Sequence, residues 1–265
     1  MARTHLFEIA EQSWCPFAIR SGVTDFLSFS EVLGRYFDPV ADRIGDLLLR
    51  LDCHSIVDLA SGSGGPSIEL NRQLNARLSN RIQSTLTDLF PNEDLAAILG
   101  NDPDLHVHYC TEPVDARQVP TSLQGFRTMF ASFHHFRPGD AQIILRDAVE
   151  NGAGICVAEF TTRDAVNLLL LCLGPIYVFI LTPFIRPFRW SRLLFTYLLP
   201  IIPFIILFDG VISWLRTYSK EELSAIVQSL EASNVTWDIG QYRVPGIFFK
   251  VTYITGIPAQ PDATA

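Results

Sequence analysis

The stretch from Ser55 to Leu70, SIVDLASGSGGPSIEL, constrains this chain most: an apolar run passes through a glycine-rich turn straight into an amphipathic segment. Gly62 and Gly64 allow backbone angles that side chains forbid, and their missing Cβ atoms let a ligand approach the main chain. A strand, a tight turn and a helix in immediate succession open an α/β unit whose ligand sits at the turn. Asp58, near the strand end, is placed to face a cationic amino-acid group. The same turn speaks against two ligand classes. A dinucleotide fingerprint needs a third glycine where Ser67 stands, and a phosphate-binding loop needs a lysine followed by serine or threonine, which this turn lacks.

Beyond the turn, short apolar runs keep alternating with helical ones: IQSTLTDL, LHVHYC, FRTMFASF, AQIILRDAVENG and AGICVAEF. Such alternation predicts a mostly parallel sheet with covering helices. The expected organisation is an N-terminal helical cap over 1–50, a Rossmann-like core over 51–163, an apolar helical insertion over 164–212, a helix and closing strands over 213–257, and a flexible tail over 258–265. Ser219, followed three residues on by Glu222, predicts a capping box at the late helix. With 265 residues, 48% of them hydrophobic, the chain is long enough for one such domain with additions. Its net charge of −8, without basic runs interleaved with aromatics, speaks against nucleic acid as a partner. Five cysteines without C-x-x-C spacing, and charges in MARTHLFEIAEQSW where a secretion signal needs an apolar core, predict a reducing, cytoplasmic location.

VDLASGSGG resembles the first motif of class I S-adenosylmethionine-dependent methyltransferases, with Ala60 standing for its first glycine. Three further segments match that family in order across residues 55–160. STLTDLFPN ends in Asp88, with Leu89 beside it, where the family's carboxylate accepts from both ribose hydroxyls. VDARQVP places Asp115 and Ala116 where the family flanks the adenine ring. FASFHHF brings Ser132, His134 and His135 to where the family holds residues between cofactor and acceptor. The resemblance therefore implies an α/β, Rossmann-like methyltransferase sheet that binds S-adenosyl-L-methionine through Asp58, Ala60, Gly62, Gly64, Asp88, Leu89, Asp115, Ala116 and Ser132.

Methyl transfer from a sulfonium needs an aligned acceptor and, for a hydroxyl, a base, but no metal. His134 or His135 suits that base role, because imidazole titrates near neutrality; the alternative is that both shape the pocket. Asp209, Arg216 and Tyr218 stand where a very apolar stretch ends, which makes them candidates for the acceptor pocket; Arg216 otherwise pairs with Glu221 or Glu222. A different reading of the whole chain is a membrane-associated, cofactor-binding protein without turnover.

The insertion is the least ordinary part of the composition. AVNLLLLCLGPIYVFILTPFI carries no charge, and RPFRWSR separates it from a second apolar run, LLFTYLLPIIPFIILF. The first run meets the length needed to cross a bilayer, about 20 residues. A spanning hairpin would, however, put Arg186, Arg189 and Arg192 on the far side, against the positive-inside tendency, and Pro175, Pro183, Pro200 and Pro203 interrupt both runs. The expectation is a hairpin that enters one leaflet or lies on the cytoplasmic face of a membrane, and hence a small lipophilic acceptor. The alternatives are a buried lid over the active site and a homodimer interface.

Overall fold

A computed structural model describes residues 3–102, 105–152, 154–230 and 234–259. Its centre is a seven-stranded sheet in the order β3-β2-β1-β4-β5-β7-β6. Strands β1 (Ser55–Asp58), β2 (Gln83–Leu86), β3 (Val107–Tyr109), β4 (Phe126–Phe130) and β5 (Ile155–Glu159) run parallel. β7 (Lys250–Pro258) inserts antiparallel between β5 and β6 (Val235–Arg243). Asp58 lies opposite Leu86 of β2 and Thr128 of β4, so the loops leaving these three strands emerge side by side. The strand order reverses at β1, and in open parallel sheets that reversal opens a crevice at the carboxyl ends.

The sheet has two buried faces, as parallel strands require. Ile56 and Phe126 pack on one face against Val40 and Ile44 of α2 (Asp38–Arg50) and Leu74 of α3 (Gly65–Arg77). Val57 and Met129 pack on the other against Ile144 and Leu145 of α5 (Pro138–Glu150) and Leu223 of the late helix Lys220–Gln228. Neighbouring residues of one strand thus serve opposite layers. The short helix α4 (Glu93–Gly100), which the sequence pattern does not single out, is capped by Asn92 and covers β2 and β3 through Leu99.

Above the carboxyl edge lies a third layer built from the cap and the insertion together. Ile19, Val23 and Phe26 of α1 (Phe17–Leu33) pack against Val178 of α7 (Gly174–Leu181) and against Ile202 and Ile205 of the helix Ile201–Arg216. Three expectations change. Helix begins only at Phe17, and residues 3–16 form an irregular strap. The last insertion helix runs unbroken through the expected boundary at 212, because Ile205, Asp209, Ile212 and Arg216 recur along one buried face. Pro258 closes β7 and the Ala259 amide donates to the Asn234 carbonyl at 2.6 Å; the rest of the expected tail lies outside the described residues. We number the remaining helices α6 (Ala165–Cys172), α8 (Trp190–Leu193), α9 (Ile201–Arg216) and α10 (Lys220–Gln228).

Candidate active site

The turn after β1 is left-handed at Ala60, Gly62 and Gly64, with φ of 55°, 53° and 69°. Ala60 takes this conformation without being glycine, so the turn carries a steric cost there. Neighbouring strands hold the turn: the Ser61 amide donates to the Thr87 carbonyl at 2.9 Å and the Tyr109 hydroxyl to the Gly62 carbonyl at 3.0 Å. Pro66 in the first turn of α3 pre-sets the helical angle. α1 closes over the outer side, where the Ser63 hydroxyl reaches Thr24 Oγ1 and Asp25 Oδ1 at 2.9 Å each. A Cβ on Gly65 would fall 2.9 Å from the Ser28 carbonyl oxygen, so this helix contact requires glycine.

Asp58 is turned into the protein rather than into open space. It is buried between β1 and β4, accepts from the Thr128 hydroxyl at 2.6 Å, and is pushed up to about 6 by burial against the opposing hydrogen bonds of Ser61, Ser67 and Thr128. Its carboxyl builds the turn from within. Asp88 stands beside the turn: one carboxylate oxygen accepts from the Gly62 amide and the other from the Phe90 amide, both at 2.8 Å. Burial raises its pKa, opposed by these two amides. Two accepted bonds leave roughly two of a carboxylate's four lone-pair directions free. Leu89 next to it is exposed. Across the edge, Ala116 is buried, while the Asp115 carboxylate is held below its usual range by a 2.6 Å pair with Arg117.

After β4, left-handed Ala131 swings the chain into a single helical turn, Phe133–His135. Ser132 enters that turn buried, and its hydroxyl has no hydrogen-bond partner among the described residues. The two histidines, adjacent in sequence, meet different partners. His134 Nδ1 lies 2.7 Å from Oε2 of Glu159, whose other oxygen accepts from the Phe133 amide at 2.6 Å. Burial alone would raise the Glu159 pKa; the charge and hydrogen bond of His134 outweigh it and hold it low. With Nδ1 thus engaged, His134 Nε2 is buried, has no hydrogen-bond partner among the described residues, and lies 3.7 Å from Glu8. His135 Nδ1 pairs with Glu11.

Glu8 and Glu11 belong to the strap, and its anchoring explains the three residues expected in an acceptor pocket. The Asp209 carboxylate accepts from the Ile9 and Ala10 amides at 2.7 and 3.0 Å. Arg216, 1% exposed, donates to both Glu11 oxygens at 2.9 Å and to the carbonyls of His134 and His135 at 3.3 and 2.7 Å. The Tyr218 hydroxyl donates to the Phe136 carbonyl at 2.7 Å, under the Arg3 guanidinium. None of the three faces open space; they fasten the strap and the histidine turn. Nor does Arg216 pair with Glu221 or Glu222: Glu222 closes the capping box with Ser219 and binds Arg163.

Glu8 is pushed up to about 7 by burial, although His135 and Arg216 pull it down. Glu8, His134 and His135 hold ligand-type atoms within 4.8 Å of one another. The Arg216 guanidinium, 3.3 Å from Glu8, already supplies the positive charge a metal would bring there.

No protein-family model matches the chain, and comparison with curated proteins gives no match. Solved structures do match. The plantazolicin methyltransferase BpumL in complex with SAH aligns over 94% of this chain and 94% of its own, with a TM-score of 0.56 and 10% identity. A putative O-methyltransferase from Nostoc punctiforme aligns over 96% of this chain and 64% of its own, with a TM-score of 0.51 and 12% identity. At such identities the likeness establishes architecture: the chain has the Rossmann-like fold of class I methyltransferases.

Proposed function

We propose that the chain is an S-adenosyl-L-methionine-dependent methyltransferase acting on an oxygen or nitrogen of a small lipophilic acceptor. One juxtaposition carries the reading. The left-handed turn with Asp88 at its side shares the carboxyl edge of the sheet with a carboxylate-oriented His134 and a Ser132 hydroxyl that has no partner among the described residues. These residues fit the cofactor: Asp88 keeps acceptor capacity for two ribose hydroxyls, Gly62 and Gly64 keep side chains out of the turn, and Ser132 holds a polar group that needs a partner. When bound there, the cofactor supplies an electrophilic methyl group. Leu89, Asp115 and Ala116, which follow β2 and β3, go to the adenosine end on the strength of the motif resemblance.

On the acceptor side, Glu159 fixes the proton of His134 on Nδ1 and leaves Nε2 to take a proton from a hydroxyl. His135, tied to Glu11, positions the strap rather than serving as base. The apolar layer above the edge favours a lipophilic acceptor.

Calorimetric titration with S-adenosylmethionine and S-adenosylhomocysteine tests the cofactor. Saturable binding is expected, weakened in Asp88→Ala by roughly ten- to a hundredfold, the worth of charge-assisted hydrogen bonds. A folded protein that binds neither removes the reading. Binding without methylated product across hydroxylated and aminated lipophilic acceptors supports instead a cofactor-binding protein that does not turn over.

A further inference from the structure

The insertion is half buried and half naked. Val178, Ile202 and Ile205 pack on α1, yet α6 and α7 turn Val166, Leu169, Ile176 and Ile180 outward. Outward apolar side chains recur at each following bend. Trp190 is 78% exposed and Leu198 74%, and Phe204 stacks on Phe208, which in turn meets Phe7 of the strap. This patch is far more than the scattered apolar residues of an ordinary protein surface.

Charge identifies what covers it. From 165 to 208 the sequence has no acidic residue and three arginines. Arg192 is buried against Asp25 and the carbonyls of Ile185 and Pro187, and so fixes the loop before α8; Arg189 reaches Asp94. Arg186 is exposed and, among the described residues, meets only the Pro183 carbonyl. It sits between Phe184, Phe188 and Trp190, all exposed. Aromatic rings beside an unanswered arginine on an apolar surface match a bilayer interface with anionic head groups. A second copy of the chain fits less well, since a two-fold contact would set Arg186 near its own copy with no acidic residue of the insertion to answer either.

We propose that this face docks on an anionic lipid surface without crossing it. No single helix among the described residues is long and apolar enough to cross, and the two pairs that match in composition are bent by 41° and 78°. α9 also carries buried Asp209 and Arg216, which keeps its inner half in the protein. From Phe204 to Arg216 the helix rises about 18 Å, linking the lipid-facing end to the histidine turn. Docking does not depend on the methyltransferase reading.

Vesicle flotation of the full chain, without detergent or cofactor, tests this. The chain is expected to float with phosphatidylcholine vesicles containing phosphatidylglycerol, and more weakly with phosphatidylcholine alone. Phe188→Ser with Trp190→Ser is expected to lower partition at least tenfold, as loss of two exposed aromatics that docking would bury in lipid implies. Arg186→Gln is expected to lower it about fivefold on the anionic vesicles only. Leu198→Ser checks the same face, Leu49→Ser on α2 is the unaffected control, and circular dichroism confirms folding of each. A folded chain that stays in bulk solution with both vesicle types overturns the proposal. So does a dimer, seen by light scattering, that Trp190→Ser dissociates while vesicle binding is absent.

Discussion

The histidine pair shows how little two adjacent letters say about their separate work. FHHF predicts polar groups after the fourth strand, but the residue that distinguishes them, Glu159, lies at the end of the next strand, 25 positions away. Its burial is invisible in a strand pattern that reads simply as ICVAE, and Glu8 and Glu11 stand in a segment with no periodicity at all. Replacing either member of the pair, as His134→Gln or Glu159→Gln, is expected to lower kcat by about 10²-fold or more while the cofactor Kd shifts less than threefold. Equal losses in both would mark damage to the fold instead. Ala60 offers a second test at this scale. Its φ of 55° costs a non-glycine residue about 1–2 kcal/mol, and glycine gives back about 0.4–1 kcal/mol through the unfolded chain. Ala60→Gly is therefore expected to raise stability by about 0.5–1 kcal/mol, read as a rise of about 1–4 °C in Tm.

At the scale of elements, what was legible is what is local. The strand, turn and helix from Ser55 to Arg77, the capping box at Ser219 and the five parallel strands follow from spacing and apolar alternation within a few residues. The strap was not legible, because its conformation is dictated from far along the chain: Asp209 lies about 200 positions from the amides it receives. The apolar insertion concealed the same fact, since composition alone cannot show that Asp209 and Arg216 point inward while Phe204 points out. Asp209→Ala leaves two amides of the strap without their charged acceptor, a loss of roughly 1.5–3 kcal/mol. Hydrogen exchange at residues 5–12 is expected to rise by at least tenfold while the sheet amides remain protected. Uniform acceleration across the sheet would show that the strap is no separate element. Gly65→Ala tests the opposite side of the turn: its Cβ meets the Ser28 backbone, so α1 must shift, and weaker cofactor binding is expected with little change in the sheet.

For the whole molecule, the unusual quantity is the number of carboxyls taken out of water. Burial pushes Asp58 up to about 6, Glu8 to about 7 and Glu31 to about 8, the last with the Glu159 charge adding to the shift. Each folded pKa lies above the unfolded value, so over the interval between them the unfolded chain has released a proton that the folded chain still holds. The contribution of these three groups is then full below about pH 4, where both states are protonated, and declines as pH rises towards 8, while the lowered carboxyls such as Glu159 and Asp115 work in the opposite sense at low pH. The slope is at most about 1.4 kcal/mol per pH unit for each such group. Glu31 dissects this, because it forms no bond with the histidines, feels the network only through the Glu159 charge, and has no cation acting on it among the described residues. Glu31→Gln keeps the shape and removes the ionisation; it is expected to match the wild type near pH 5 and to be more stable at pH 8.5, with a flatter dependence of Tm on pH between them. Parallel curves for the two proteins, measured by calorimetry across that range, would mean that Glu31 finds solvent or a partner in the folded chain and that the decline belongs to other groups.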